Sequence, residues 1–122
     1  MRTYCKLIFC IFSLFLSINA YADTTSSTRI PLISNKEVSV WKTIIYPAKE
    51  QILKLHRHEN NRIVVALTGG KLKVTDNKGK VHYLTLKKDK AYYLSKDIPG
   101  ELHTDENVGK DPVKVVVIEL KK

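Results

Sequence analysis

From Val38 onward the chain is a succession of short β-forming runs broken by turn residues, and no stretch carries the long, capped 3.6-residue apolar period of a helix. Residues 38–46 are β-branched and aromatic, residues 51–55 form a short run, and residues 62–68 and 71–75 flank Gly69-Gly70, a turn signal. Asp76-Asn77-Lys78-Gly79 is a second turn leading into residues 81–86, and residues 91–94 follow a turn at Asp89. Residues 113–120 form a strong final run, entered through Gly109, Lys110, Asp111 and Pro112. Runs that recur at about 8 to 12 residues predict an all-β sandwich or barrel. In Lys71-Leu72-Lys73-Val74-Thr75 the alternation is clean, with Leu72 and Val74 predicted to face the core and the lysines water. The final run is more apolar, which predicts cover on both faces for part of its length.

Ahead of these runs, residues 1–22 read as a secretory signal peptide: Arg2 and Lys6, an apolar run over residues 7–18, and the small-x-small site Ala20-Tyr21-Ala22. The run is shorter than the roughly 20 residues of a membrane span. Cleavage after Ala22 predicts a periplasmic or secreted protein with no stable membrane insertion. Residues 23–37 read as a flexible N-terminal arm with one short strand at residues 29–32, and residues 38–122 as a single β domain. Both cysteines, Cys5 and Cys10, fall within the signal segment. That excludes a disulfide scaffold, a thiol redox protein and a Cys-ligated zinc site for the exported part. Losing Arg2 and Lys6 takes the formal charge from +9 to +7. The lysines are spread rather than clustered with stacking aromatics, so they read as a solvated β surface that discourages edge pairing, and nucleic acid is not an expected partner.

Two patches carry the chemistry. The first is His56-Arg57-His58, followed by Arg62 and Gly69; the second is Gly100-Glu101-Leu102-His103, followed by Asn107. On one strand His56 and His58 would share a face, about 6.6 Å apart. Two imidazoles on one face with a third from a distant strand can assemble a transition-metal site.

Spaced in this way, the patches resemble the two motifs of the cupin superfamily, small barrels built as double-sheet jelly rolls or double-stranded β-helices. The first family motif runs G-x5-H-x-H-x3,4-E-x6-G; His56, His58 and Gly69 match it, Arg62 stands at the glutamate and Glu50 at the opening glycine. The second runs G-x5-P-x-G-x2-H-x3-N; Gly100, His103 and Asn107 match, with Ile98 at the proline and Tyr92 at the first glycine. The resemblance covers about residues 38–120. It implies a divalent transition metal (Zn, Fe, Mn, Ni or Cu) held by His56, His58 and His103.

The family's fourth ligand does not carry over, because a guanidinium has no lone pair to donate. A fixed cation about 4 Å from a unit charge interacts by roughly 4 kcal/mol at an effective dielectric near 20, and a dication doubles that repulsion. Three arrangements follow. A three-histidine metal keeps open positions while Arg62 grips an anionic ligand; or the pocket is metal-free and binds a small anion through the histidines and Arg62; or Arg62 pairs with Glu59 or Glu101 and the site is structural. Glu59, Glu101, Asp105 and Glu106 each offer a substitute carboxylate.

Outside the motifs, His82 reads as non-functional, Asn107 as a turn-closing residue, and Gly69 and Gly100 as backbone requirements. Trp41 and the tyrosines read as core and lining. One of Tyr92 and Tyr93 must point inward, and Tyr92 is the candidate that reaches a ligand beside Arg62. The expected function is binding of a metal and a small anionic molecule. If the protein catalyses, the resemblance implies oxidation or isomerisation of a small anionic metabolite. A metal-free binding or sensing module and a structural protein that pairs as a homodimer are the rival expectations.

Overall fold

The computed structural model of the protein describes residues 26–122, so residues 1–22, read above as a signal peptide, lie outside the described residues. Nine strands follow one another: β1 (Thr28–Ser34), β2 (Val38–Ile45), β3 (Leu53–His56), β4 (Arg62–Ala66), β5 (Gly70–Asp76), β6 (Val81–Leu86), β7 (Ala91–Leu94), β8 (His103–Asn107) and β9 (Val113–Leu120). One 3-10 turn, Lys49–Gln51, precedes β3. All described pairings are antiparallel, in a five-stranded sheet of order β1-β2-β9-β4-β7 and a four-stranded sheet of order β3-β8-β5-β6.

The two sheets pack face to face because their inward residues alternate as a two-residue period requires. Val64, Ala66, Val113, Val115 and Val117 from one sheet and Leu72 and Leu86 from the other form the buried core, closed at one end by Ile45. Leu72 and Val74 are buried as the sequence predicts. In β9, Val116 and Ile118 on the second face are half-buried, so that strand is covered on both sides in part.

Two differences from the sequence reading have clear causes. The segment read as a flexible arm holds a seven-residue edge strand rather than a four-residue one, paired with β2 from Thr28↔Ile44 to Ser34↔Ser39 with a bulge after Pro31. All seven of its residues are exposed, so no amphipathic alternation marks it. Gly69-Gly70, read only as a turn, proves to be a crossing between layers: β4 and β5 lie in different sheets, and the pair carries the chain from one to the other.

At that corner Gly70 is the constrained glycine. A Cβ there would overlap Cγ2 of the fully buried Val113, whereas a Cβ at Gly69 meets the Leu86 carbonyl oxygen at 3.5 Å and the Lys88 nitrogen at 3.9 Å, both ordinary contacts. Gly70→Ala is therefore expected to lower stability by about 1–3 kcal/mol, the range for overpacking a core, and Gly69→Ala to be near neutral. Urea midpoints of the two variants check this; equal midpoints would remove the steric account. Gly100, with φ +83, needs its glycine for the backbone alone.

Candidate metal centre

β3 and β8 set His56 directly opposite His103, and the two ring centroids lie 4.4 Å apart. His58 lies past the end of β3 rather than on it, since β3 stops at His56. It is brought back to the cluster by Asp97, which accepts the His58 N–H at 2.6 Å and donates its own N–H to the His58 carbonyl at 2.9 Å. The His58 ring stands 5.1 Å from His56 and 5.5 Å from His103. Donor atoms of all three imidazoles lie within 4.8 Å of one another, close enough to bind one metal ion.

Each ring has its outer nitrogen against an acceptor. Nδ1 of His56 donates to the Lys54 carbonyl at 2.7 Å, which leaves Nε2 as the lone pair of the neutral ring. That Nε2 is buried and faces Oδ2 of Asp105 at 3.3 Å without a well-formed hydrogen bond. Nδ1 of His103 faces Oδ2 of Asp97 at 3.4 Å, and Nδ1 of His58 faces Oε2 of Glu119 at 4.0 Å. A buried lone pair facing a carboxylate oxygen is unfavourable unless a proton or a metal ion lies between them, and with three imidazole donors converging there the residues present fit a metal.

The protonation states agree. Burial, then the positive charge of Arg62, then His56, Arg29 and His103 push His58 down to about 3. Burial also lowers His103, against the opposing pull of Asp105 and Asp97. Both rings are neutral near neutral pH, as metal ligation requires. Asp105 is held below the usual carboxylate range: burial acts to raise it, and the neighbouring His56, His103 and His58 outweigh that.

Arg62 does not reach toward the histidines as a free cation. It opens β4 as a buried, inward residue, and its guanidinium donates to the Ser95 carbonyl at 3.0 Å and pairs with Oδ1 of Asp97 at 3.8 Å. Asp97 thus stands between Arg62 and His103, one oxygen toward each. Of the carboxylates offered as partners for Arg62, Glu59 instead contacts Arg57, at 3.9 Å. Tyr92 is the residue read as reaching a ligand beside Arg62. It turns inward and packs against the core while Tyr93 is exposed, but its hydroxyl accepts the Lys87 N–H at 2.8 Å and Tyr92 is absent from the cavity wall.

Between the sheets lies a cavity of about 250 Å³, with His58, His103, Arg62 and Asp97 on its polar wall and core side chains such as Val64, Leu72 and Val117 on the remainder. Arg29 and Trp41 line it too, the guanidinium 5.2 Å from the indole centroid and the indole stacked on His58 at 6.3 Å. His82, read as non-functional, also reaches this cavity. Sequence reasoning missed Asp97 and Arg29. Asp97 falls at an unspecified position of the second motif and works through a backbone clamp, and Arg29 lay in the segment read as an arm. Asn107 does close a turn, accepting the Gly109 N–H and donating to the Ile45 and Asp111 carbonyls.

No protein-family model and no curated protein matches the chain by sequence. Solved structures do match by shape. A cupin domain from Bordetella pertussis Tohama I superposes with a TM-score of 0.68 at 22% identity, over 80% of this chain and 95% of that one. An RmlC-like cupin family protein with a double-stranded β-helix fold from Methanocaldococcus jannaschii gives 0.60 at 12% identity, over 82% and 84% of the chains. The cupin domain of Schizosaccharomyces pombe Cnp3 gives 0.57 at 15%, over 81% and 70%. With two facing antiparallel sheets and three histidines gathered between β3, β8 and the loop after β3, this chain has the cupin fold, the double-stranded β-helix.

Proposed function

We propose that this is an exported cupin that holds one divalent transition metal through His56, His58 and His103 and takes a small anionic molecule into the cavity beside it. The observation that carries the metal is the convergence of three imidazoles whose donor atoms lie within 4.8 Å of one another. Export rests on the basic start, apolar run and Ala-x-Ala site within residues 1–22. When bound, the metal supplies a Lewis acid able to polarise a ligand oxygen.

The cation best placed for the anion is Arg29 rather than Arg62. Arg29 lines the cavity and forms no salt bridge among the described residues, whereas Arg62 is committed to Asp97 and Ser95. Trp41, also on the wall, has a buried Nε1–H without an acceptor, which a ligand oxygen would satisfy. The remaining wall is apolar, and the cavity lies below the roughly 300–1,000 Å³ of drug-sized pockets, so the ligand class is a small carboxylate with a short apolar body.

Protein recovered from the exported fraction is expected to begin at Asp23 and to carry about one metal per chain by elemental analysis. Adding zinc to the chelated protein at a hundredfold excess over Kd should stabilise it by about 2.7 kcal/mol, or roughly 10–20 °C in Tm. His58→Ala and His103→Ala should abolish that shift. A wild-type Tm indifferent to Zn, Fe, Mn, Ni and Cu would remove the metal and leave a metal-free binding pocket.

A further inference from the structure

We infer that Asp105 is a fourth protein ligand to the metal, so that the carboxylate missing from β4 is supplied by β8. This rests on the three-histidine reading and adds to it.

Asp105 follows His103 by two residues on the same strand, so both side chains face inward. Its Oδ2 lies 3.3 Å from Nε2 of His56 and 3.9 Å from Nε2 of His103. Two ligands about 2.1 Å from one tetrahedral metal stand about 3.4 Å apart. The carboxylate therefore sits at ligand spacing from Nε2 of His56 and somewhat beyond it from Nε2 of His103, the two nitrogens that their Nδ1 contacts leave toward the centre. Its side chain is 16% exposed, largely shut off from solvent.

The other carboxylates do not have this placement. Asp97 addresses the outer nitrogen of His103, and its oxygens are taken by the His58 N–H and Arg62. Glu119 addresses the outer nitrogen of His58 and accepts from Asn60. Glu59 is 76% exposed beside Arg57. Glu106, adjacent to Asp105 on β8, points to the opposite face. Among the described residues, only Asp105 meets Nε2 atoms.

The exchange also explains how a cation is tolerated at the head of β4. Arg62 is matched by Asp97, and Asp105 offsets one of the two charges of the metal. An ion pair between Asp105 and a protonated His56 would place the same atoms together without any ligand role, and the experiment must separate the two.

Isothermal titration of Co²⁺ and Zn²⁺ into chelated wild type, Asp105→Asn and Asp97→Asn, with the cobalt d–d spectrum recorded, does so. Asp105→Asn is expected to weaken binding at least a hundredfold and to change the cobalt spectrum. Asp97→Asn, acting through His103, should weaken binding about tenfold and leave the spectrum alone. Unchanged affinity and spectrum in Asp105→Asn, with wild type binding normally, would overturn the inference and leave the three-histidine site standing; no binding by wild type would overturn both. A crystal structure of the zinc-loaded wild type gives a reading independent of any variant's folding. An Asp105 oxygen about 2.0–2.2 Å from zinc supports the assignment, and water in that position overturns it.

Discussion

Arg62→Met is expected to destabilise the fold by about 3–5 kcal/mol, because removing one member of a buried charge pair leaves the other uncompensated. The Arg62 side chain is 9% exposed and that of Asp97 is 14% exposed, so water does little to screen the orphaned carboxylate. Methionine is unbranched and flexible enough to fill the vacated space, so the loss reports the charge and the Ser95 hydrogen bond rather than a cavity. For a domain of this size the loss corresponds to a Tm lower by about 15–30 °C. Adding Asp97→Asn should return a substantial part of it, since both partners are then neutral, and the double-mutant cycle isolates the coupling. A cost below about 1 kcal/mol for Arg62→Met would mean that the guanidinium is free of Asp97 and available to a ligand.

Chelated protein should lose stability steeply as the pH falls from 6.5 toward 3. The folded-state value of His58 is about 3, below the ordinary 6.5, through burial first and the charge of Arg62 second. Between those values the unfolded chain binds a proton that the folded chain refuses, so the stabilisation is complete above 6.5 and lost on acidification. Each such histidine contributes a slope of about 1.4 kcal/mol per pH unit. His103 is lowered for the same leading reason and adds to the slope. Asp105, also lowered, acts in the same direction, its contribution being lost only below the ordinary carboxylate range. Urea midpoints measured from pH 7.5 to 4 in chelator test this, and a flat profile between 6.5 and 4.5 would show that the imidazoles are not held neutral. Saturating zinc should displace the onset to lower pH, because protons must then compete with the metal.

The histidine cluster was readable from sequence because a spacing pattern and a strand pattern agreed. His56, His58 and His103 converge as expected, although His58 is held by a loop clamp and not by strand alternation. β5 was readable because one of its faces is buried and the other wet; β1 was not, because all seven of its residues are exposed and its place is set by pairing with β2. Alternation rightly turned Tyr92 inward, yet alternation specifies a face and not a depth, and this hydroxyl meets the turn after β6 instead of the cavity. The four carboxylates near the motifs were indistinguishable until the register of β8 aimed Asp105 at two imidazoles. Asp97 and the sheet-to-sheet crossing at Gly69-Gly70 depend on contacts between distant segments, which no local pattern encodes.

The position of β9 bears on when this chain can fold. β9 runs through the middle of the five-stranded sheet, pairing with β2 on one side, where Leu120 meets Val38, and with β4 on the other, where Glu119 meets Arg62. Until residues 113–120 are available, β1-β2 and β4-β7 are separate two-stranded ribbons, each marginal alone. Joining them closes loops that span most of the domain, the class of topology that folds slowly. Synthesis therefore cannot complete this sheet from the front; of the described strands, the one made last is the one that welds it. If the chain is exported unfolded, as proposed above, it gains time from that order, because residues 28–94 have no stable sheet in which to settle before residues 113–120 join them.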